Sequence, residues 1–345
     1  MAATVVTAAV DPHPSRRRLV IVTAACLVLL ALCVLSLALG ARPVSLSTVV
    51  DALLAYDGTS ADHIAIRDYR LPRTLLGLFC GAAFGVSGAL IQAMTRNPIA
   101  DPGLLGVNAG AAFFVTIAAG IFGLQSVSLH LWFAFFGAIV ATVVVYALGS
   151  SGRQGATPIR LLLAGVAITA VLGGISSAIT LLNPVAFESM RVWSIGALAG
   201  RDMTVVATVV PFIVVGLVIA VFISPGLNAI ALGDDNARAL GSNIIRTRVL
   251  AALSVTLLAG GGTAAVGPIG FIGLMTPHVV RWLLGPDQRR IVTGTMIFAP
   301  ILLLAADILG RLLLRPGELE AGIVTAFLGA PVLILLVRRK KVSGL

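Results

Sequence analysis

Residues that could do chemistry are few in this 345-residue sequence, and their spacing excludes the common kinds of active site. The four histidines have no zinc-ligand spacing between them, and neither H-E-x-x-H nor G-x-S-x-G occurs. The only lysines are Lys340 and Lys341, so no P-loop lysine is available to bind nucleotide phosphates. We therefore expect no catalytic residue, metal site or cofactor, and no ATPase activity in this chain itself.

An arginine motif, Arg70-Leu71-Pro72-Arg73, stands at the start of an apolar run. Proline is common at the first position of a helix, so Pro72 predicts a helix start here. Two interpretations of the arginines are open. They extend to the membrane interface as long amphipathic side chains, or they dock an acidic partner, to which complementary charge gives steering and register.

A second charged motif, Asp307 with Arg311, lies in another apolar run. The i,i+4 spacing, with the acid first, favours an ion pair on one helix. An ionisable group inside a span is also what a carrier driven by an ion gradient requires. We predict the ion pair and keep the ion-coupled carrier as the alternative from another functional class.

Three further segments have turn or helix-breaking residues. In Leu232–Gly241, Asp234 or Asp235 can cap a short helix that Gly241 ends, either a helix that another protein moves or an idle surface helix. Gln92–Gly106, with its Asn-Pro and Asp-Pro pairs, predicts a tight turn. Gly267–Leu274 predicts a broken helix beside a translocation path, followed by His278 as a packed or hydrogen-bonded residue rather than a metal ligand.

The composition indicates a polytopic, all-α membrane protein. Hydrophobic residues make up 58% of the chain, charged residues 11%, and the mean hydropathy is +1.05, whereas a soluble domain carries roughly 25% charged residues. A soluble enzyme, a nucleic-acid binder and a disordered scaffold are therefore excluded. The three cysteines lie in apolar runs, which predicts small buried side chains rather than disulfides.

Ten apolar runs are candidate transmembrane spans. They cover residues 19–39, 71–93, 105–123, 128–149, 159–182, 203–223, 247–264, 267–284, 291–313 and 321–337. The first is longer than the apolar region of a secretory signal and is interpreted as an uncleaved span. The domain prediction is a tail over 1–18, one transmembrane domain over 19–337 with a short helix at about 233–242, and a basic tail over 338–345.

Charge sets the predicted orientation. With alternating spans, sixteen of the 24 Lys and Arg residues fall on the side of the N-terminus, which places both termini in the cytoplasm. Spans 2–5 then begin outside and spans 7–10 begin inside, the arrangement of an inverted repeat. Small residues such as Gly81, Gly85 and Gly88 predict close helix packing.

Taken together, these motifs resemble the permease subunits of type II ABC importers for iron–siderophores, haem and vitamin B12. The motifs that carry the resemblance are Arg70–Arg73, Gly88–Gln92, Arg96–Pro98, Ala100–Gly103, Gly233–Gly241, Gly270–Leu274, Pro277-His278 and Ala326–Pro331. The iron–siderophore (ferric-enterobactin) branch is most similar, on Asp101–Gly110, Leu182–Pro184 and Pro316–Leu319.

The resemblance implies ten spans per subunit, a second permease subunit that is a copy or a paralogue, two cytoplasmic ABC ATPase subunits and an external substrate-binding protein. It implies that the binding protein docks on Arg70, Arg73 and Arg311. It also implies that an ATPase groove receives a coupling helix made of Gly233, Asp234, Asp235, Ala237, Arg238, Leu240 and Gly241.

Two departures from the family pattern concern the turn before span 10, where Glu320 replaces a common proline, and the loop Gly155–Ile159, which lacks the polar gate pair of the vitamin B12 branch.

Ser87, Gln92 and Asn108 are candidates for the translocation path. The predicted function is import of ferric siderophore across the cytoplasmic (inner) membrane, with haem or vitamin B12 as alternative substrates within the family.

Overall fold

The computed structural model describes residues 14–40, 43–151, 158–239, 241–314 and 317–338. All regular secondary structure in these ranges is helical. The helices are α1 Pro14–Ala38, α2 Leu46–Leu54, α3 Ala61–Ile64, α4 Leu71–Thr95, α5 Val107–Gly120, α6 Val127–Ser150, α7 Pro158–Leu182, α8 Pro184–Trp193, α9 Met203–Ala231, α10 Asp234–Ala239, α11 Ile244–Val255, α12 Gly261–Val266, α13 Ile272–Leu284, α14 Gln288–Leu313 and α15 Ala321–Arg338. Ala65–Arg70 and Thr256–Gly260 are π-helical turns, and Pro102–Leu105 is a 3₁₀ turn.

Every predicted span overlaps helical structure, which confirms the all-α membrane fold. Within the described residues, seven helices are long and apolar enough to cross a membrane, and α5 and α15 are shorter apolar helices. The predicted eighth span is only the 13 residues of α13, about 20 Å at 1.5 Å per residue, less than the roughly 30 Å of hydrocarbon. The count of ten spans therefore stays a prediction, as does the inverted repeat.

The helix that contains Pro72 begins earlier than the sequence predicts. Ser60 caps α3, and α3, the π turn and α4 form one continuous helix from Ala61 to Thr95. Proline has no N–H to donate within a helix. The backbone N–H of Leu71 donates to the carbonyl of Ile66, five residues back, so the widened turn immediately precedes the proline.

Helix α4 is the centre of the bundle, and most of its residues are buried. Its glycines contact other backbones directly. A Cβ at Gly81 would lie 2.7 Å from Cα of Pro300 in α14, and a Cβ at Gly88 would overlap the Gly273 backbone in α13. The predicted close packing through small residues is confirmed, because these crossings leave no space for a side chain.

The predicted broken helix is confirmed between α12 and α13. The backbone leaves the helix at Gly267, which has a φ of 78°, and re-enters it after Phe271, which has a φ of 69°. The first residues of α13 are buried inside the protein. A non-helical segment at membrane depth requires such surroundings, because lipid supplies no hydrogen-bond partners.

The outermost helices contrast with α4. Along α7 few residues are buried, and α1 also exposes most of its surface.

All three cysteines are free. Cys80 is buried as predicted, but Cys26 is exposed on α1, so the prediction of burial is wrong for Cys26. The reason is that α1 packs against the bundle along one side only.

Candidate functional site

A charged group, here called the arginine cluster, joins the end of α1, the start of α4 and the end of α14. It comprises Ser36, Arg70, Arg73, Asp307, Arg311 and Glu318. Nε and Nη2 of Arg73 donate to Asp307 over distances of 2.9 to 3.1 Å. Nη2 of Arg311 donates to the same carboxylate over 2.6 Å. The predicted ion pair between Asp307 and Arg311 is therefore confirmed, and Arg73 is a second partner.

The pair of Asp307 and Arg311 lies in the interior. Their side chains are 1% and 2% exposed. A charge removed from water at such a site needs close opposite charges and hydrogen bonds, and removal of one partner leaves the other uncompensated. Asp307 is thus already committed to two guanidinium groups. This arrangement does not favour the ion-coupled carrier, in which the carboxylate would bind a transported cation.

Arg70 and Arg311 also complete the carboxyl end of α1. Nη1 of Arg70 donates to the carbonyls of Leu37 and Ala38, each over 2.9 Å. Nη1 of Arg311 donates to the carbonyls of Ser36 and Leu39, also over 2.9 Å. The last carbonyls of a helix have no partners within the helix, and cations at this end are favoured by the helix dipole. The predicted docking arginines therefore have a structural task that sequence reasoning missed.

The arginine cluster borders an open cavity of about 470 Å³. Charged side chains and small or aromatic residues line it together: Gly40, Ala61, Asp62, Ala65, Tyr69, Arg70, Arg73, Ala199, Gly200, Arg311 and Glu318. The Glu318 carboxylate accepts a hydrogen bond from Nη1 of Arg73 over 2.7 Å. All three predicted docking arginines line this cavity, but the Arg73 side chain is 12% exposed and that of Arg311 only 2%. The structure thus brings the three predicted docking arginines together and presents them unequally.

A second charged group lies at the other end of α4 and is here called the Asp234 cluster. Asp234 begins α10, and its carboxylate pairs with Arg96, which follows α4, and with Arg248 of α11. Nε of Arg96 also donates to the carbonyl of Ile230 at the end of α9 over 2.9 Å. Three long helices therefore converge on the first residue of α10.

Helix α10 covers six residues of the segment, about 233–242, for which the sequence predicts a short helix. Gly233 before it and Gly241 after it have positive φ angles of 106° and 74°. The N–H of Gly241 donates to the carbonyl of Arg238 over 2.9 Å. Asp235 pairs with Arg238 on the exposed face, and Ala237 is buried against Ile230 and Ile244. Leu240 lies outside the described residues.

Asp234 differs from the prediction in its role. Its side chain contacts arginines on neighbouring elements, where the sequence suggested a possible helix cap. Two guanidinium groups provide stronger, charge-assisted hydrogen bonds than a backbone N–H does. The arginines that Asp234 binds are 138 and 14 residues away in the chain. No local spacing indicates them.

The three candidate path residues have different surroundings. Ser87 is buried and donates to the carbonyl of Phe84 on its own helix. Gln92 is buried and donates to the carbonyls of Gly273 and Leu274, and these hydrogen bonds hold α13 against α4. Asn108 is half-buried, accepts a hydrogen bond from Thr263 over 3.0 Å and lines a cavity of about 30 Å³. Asn108 is thus the one of the three that borders this cavity.

The turn between α4 and α5 also borders this small cavity. Asp101 caps the 3₁₀ turn by accepting a hydrogen bond from the N–H of Gly103 over 2.8 Å. Burial raises the pKa of the Asp101 carboxyl above its usual range. Nε2 of His278 lies 2.7 Å from the carbonyl of Pro98 in the same turn. The prediction that His278 is hydrogen-bonded is confirmed, and no group of potential metal ligands occurs in the described ranges.

Similarity to known proteins is extensive. The FecCD transport family matches residues 28–339. The ferric enterobactin transport system permease protein FepD of Escherichia coli (strain K12) is 48% identical over 321 residues, covering 92% of this chain and 95% of that protein. The Fe(3+)-citrate import system permease protein YfmD of Bacillus subtilis (strain 168) is 40% identical, covering 88% of this chain and 90% of that protein.

A solved structure extends the similarity to the backbone. It is described as an inward-facing conformation of a metal-chelate type ABC transporter, and it covers 92% of this chain and 98% of its own with a TM-score of 0.80 and 26% identity. The family match, the sequence relatives and the shared backbone agree over almost the whole chain. This chain is therefore a member of the FecCD transport family.

Proposed function

We propose that this chain is the transmembrane permease subunit of an ATP-binding-cassette importer that moves ferric siderophore across the cytoplasmic membrane. The observation that carries this proposal is the 48% identity with a ferric enterobactin permease over nearly the full length of both chains. The alternative within the family, an importer of haem or vitamin B12, is not favoured, because these relatives are named for iron chelates. The relative that is 40% identical is named for ferric citrate, so these relatives are named for different iron chelates.

A separate subunit supplies the energy in this proposal, and α10 is the coupling helix. Support comes from the Asp234 cluster, where the carboxylate contacts Arg96 beside α4 and Arg248 on α11. A force applied to α10 by an ATPase would reach both long helices through these contacts. Within the described part of the chain, the face of α10 with Asp235 and Arg238 is exposed, so an ATPase can contact it.

An external substrate-binding protein docks at the arginine cluster in this proposal. The open cavity of about 470 Å³ beside Arg70 and Arg73 supports this role, because a carboxylate can enter it. Arg311 contributes indirectly, since it is enclosed and holds α1 and Asp307 in place. The arginine cluster then faces the outside, and both termini lie in the cytoplasm.

A second permease subunit completes the path. The exposure of α7 supports this inference, since Gly173 and Gly174 in its middle have open space around them. Small residues at a lipid-depth surface permit close approach of another helix. The partner is either a second copy of this chain or a paralogue.

Reconstitution tests the proposed function. The chain is purified from native membranes with its companion subunits and placed in vesicles with ATP inside and binding protein with ferric siderophore outside. We expect concentrative iron uptake that requires ATP and stops when the ATPase subunit carries an inactive nucleotide site. Uptake that persists without the ATPase, but stops when an ion gradient across the vesicle membrane is dissipated, would instead identify a secondary carrier.

A further inference from the structure

Glu318 holds the side of Arg73 that Asp307 leaves open. Asp307 binds the Nε and Nη2 edge of the Arg73 guanidinium. Glu318 accepts from Nη1 over 2.7 Å. The guanidinium is thus shared between two carboxylates from different parts of the chain, one on α14 and one in the segment before α15.

The two carboxylates differ in how readily they can leave. Asp307 is 1% exposed and is bound by two arginines, whereas Glu318 is 36% exposed. A buried charge that loses its partner is strongly destabilised, but an exposed ion pair exchanges with water at little cost. Asp307 is therefore a permanent partner of Arg73, and Glu318 is a displaceable one.

The backbone that follows Glu318 is anchored, so the Glu318 side chain can leave Arg73 while this part of the chain stays in place. The N–H of Leu319 donates to the carbonyl of Gly310 over 3.1 Å, and a Cβ at Gly310 would overlap the carbonyl of Leu319. Gly322 donates to the carbonyl of Gly196 over 3.0 Å. Both Glu318 and Arg73 line the open cavity of the arginine cluster, which has room for a released glutamate and an incoming carboxylate.

We propose that Glu318 is an internal competitor of the docking protein: it occupies the Nη1 position of Arg73 that a carboxylate of that protein takes on docking. Glu318 has this role only if Arg73 takes part in docking, as proposed above. Its charge would lower the docking affinity, keep Nη1 of Arg73 paired when no protein is docked, and reject partners whose acidic groups are poorly aligned. The partner is recognised by a carboxylate that reaches Nη1 from the cavity.

The test uses the complete importer in lipid nanodiscs and measures the dissociation constant of its substrate-binding protein at low and high salt. Glu318→Gln keeps the shape but weakens the bond to Arg73. We expect docking to become roughly two- to five-fold tighter, the equivalent of one exposed ion pair. Glu318→Asp, which keeps the charge but shortens the reach, should give a smaller gain.

A matched control is Glu188→Gln. Glu188 pairs with Arg191 on α8 at an exposed position, and its substitution changes the net charge by the same amount. If Glu188→Gln tightens docking as much as Glu318→Gln, the effect is a general attraction by charge and the proposal is wrong. Unchanged or weaker docking by Glu318→Gln would also overturn it.

Arg73→Gln separates this proposal from the docking role itself. In the Arg73→Gln background, Glu318→Gln should no longer tighten docking, because the shared partner is gone. If Arg73→Gln does not weaken docking, the docking assignment of Arg73 is wrong. If Arg73→Gln weakens docking and Glu318→Gln has no effect, docking stands and the competitor role fails.

Discussion

The guanidinium of Arg73 binds the carboxylate of Asp307 across 234 residues of sequence, with Nη2 to Oδ1 at 2.9 Å. This contact joins the start of α4 to the end of α14. Arg311 binds the same carboxylate from one helical turn away. Asp307 is thus the common partner of two arginines, and it holds the arginine that faces the cavity in one orientation.

Asp307→Asn should destabilise the folded subunit strongly. It keeps the shape of the side chain but leaves two arginines without their shared counter-charge, and breaking a buried ion pair costs about 3–5 kcal/mol. Thermal unfolding in detergent measures the effect. Asp235→Asn, which disrupts an exposed pair with Arg238, is the control and should unfold with the parent. Equal unfolding temperatures for both variants would contradict the role assigned to Asp307.

Arg311→Met should loosen the end of α1. Methionine retains the apolar part of the side chain but cannot donate to the carbonyls of Ser36 and Leu39. Amide hydrogen exchange over residues 34–40 should accelerate on the order of ten-fold, the loss expected for one or two charge-assisted hydrogen bonds. Arg238→Met on α10 is the control. Unchanged exchange at the end of α1 would show that the contacts do not hold this helix.

Gly88→Ala should prevent correct packing of α4 against α13. The added Cβ would overlap the Gly273 backbone, which cannot move aside as a flexible side chain can, and overpacking of this kind costs about 1–3 kcal/mol or more. The measurement is the yield of monodisperse subunit after purification. Gly261→Ala is the control and should be tolerated, because the new Cβ would lie 3.6 Å from its nearest neighbour, an ordinary van der Waals distance. Normal yield of Gly88→Ala would mean that the helices are farther apart.

Asp234→Asn should uncouple the ATPase from transport. It removes the charge that ties α10 to Arg96 and Arg248, so ATP hydrolysis by the complex should continue while iron uptake per ATP falls by roughly ten-fold, the equivalent of about 1.4 kcal/mol. Uptake and phosphate release are measured on the same vesicles. Glu188→Gln, which removes the charge of an exposed pair with Arg191 far from α10, is the control and should leave coupling unchanged. A parallel loss of both activities would point to failed assembly instead of failed coupling.

Composition and local spacing were sufficient for the membrane fold and for several local features. Apolar runs locate the helices because lipid requires every backbone group to be satisfied within its own segment. The i,i+4 spacing predicted the pair of Asp307 and Arg311, and Gly241 predicted the end of α10, because both depend only on neighbouring residues. The break before α13 follows in the same way from its glycines and proline.

Tertiary structure alone decided which distant residues meet. Arg73 with Asp307 and Glu318, Arg96 with Asp234, and Gln92 with the α13 backbone depend on helix rotation and crossing, and an apolar helix in lipid has little periodicity to indicate its rotation. The same reason explains why Arg70 and Arg311 also cap α1. The early start of the helix that contains Pro72 is instead local, because Ser60 caps it and a π turn precedes the proline. The sequence determined where helices form, and packing determined which charges each helix end binds.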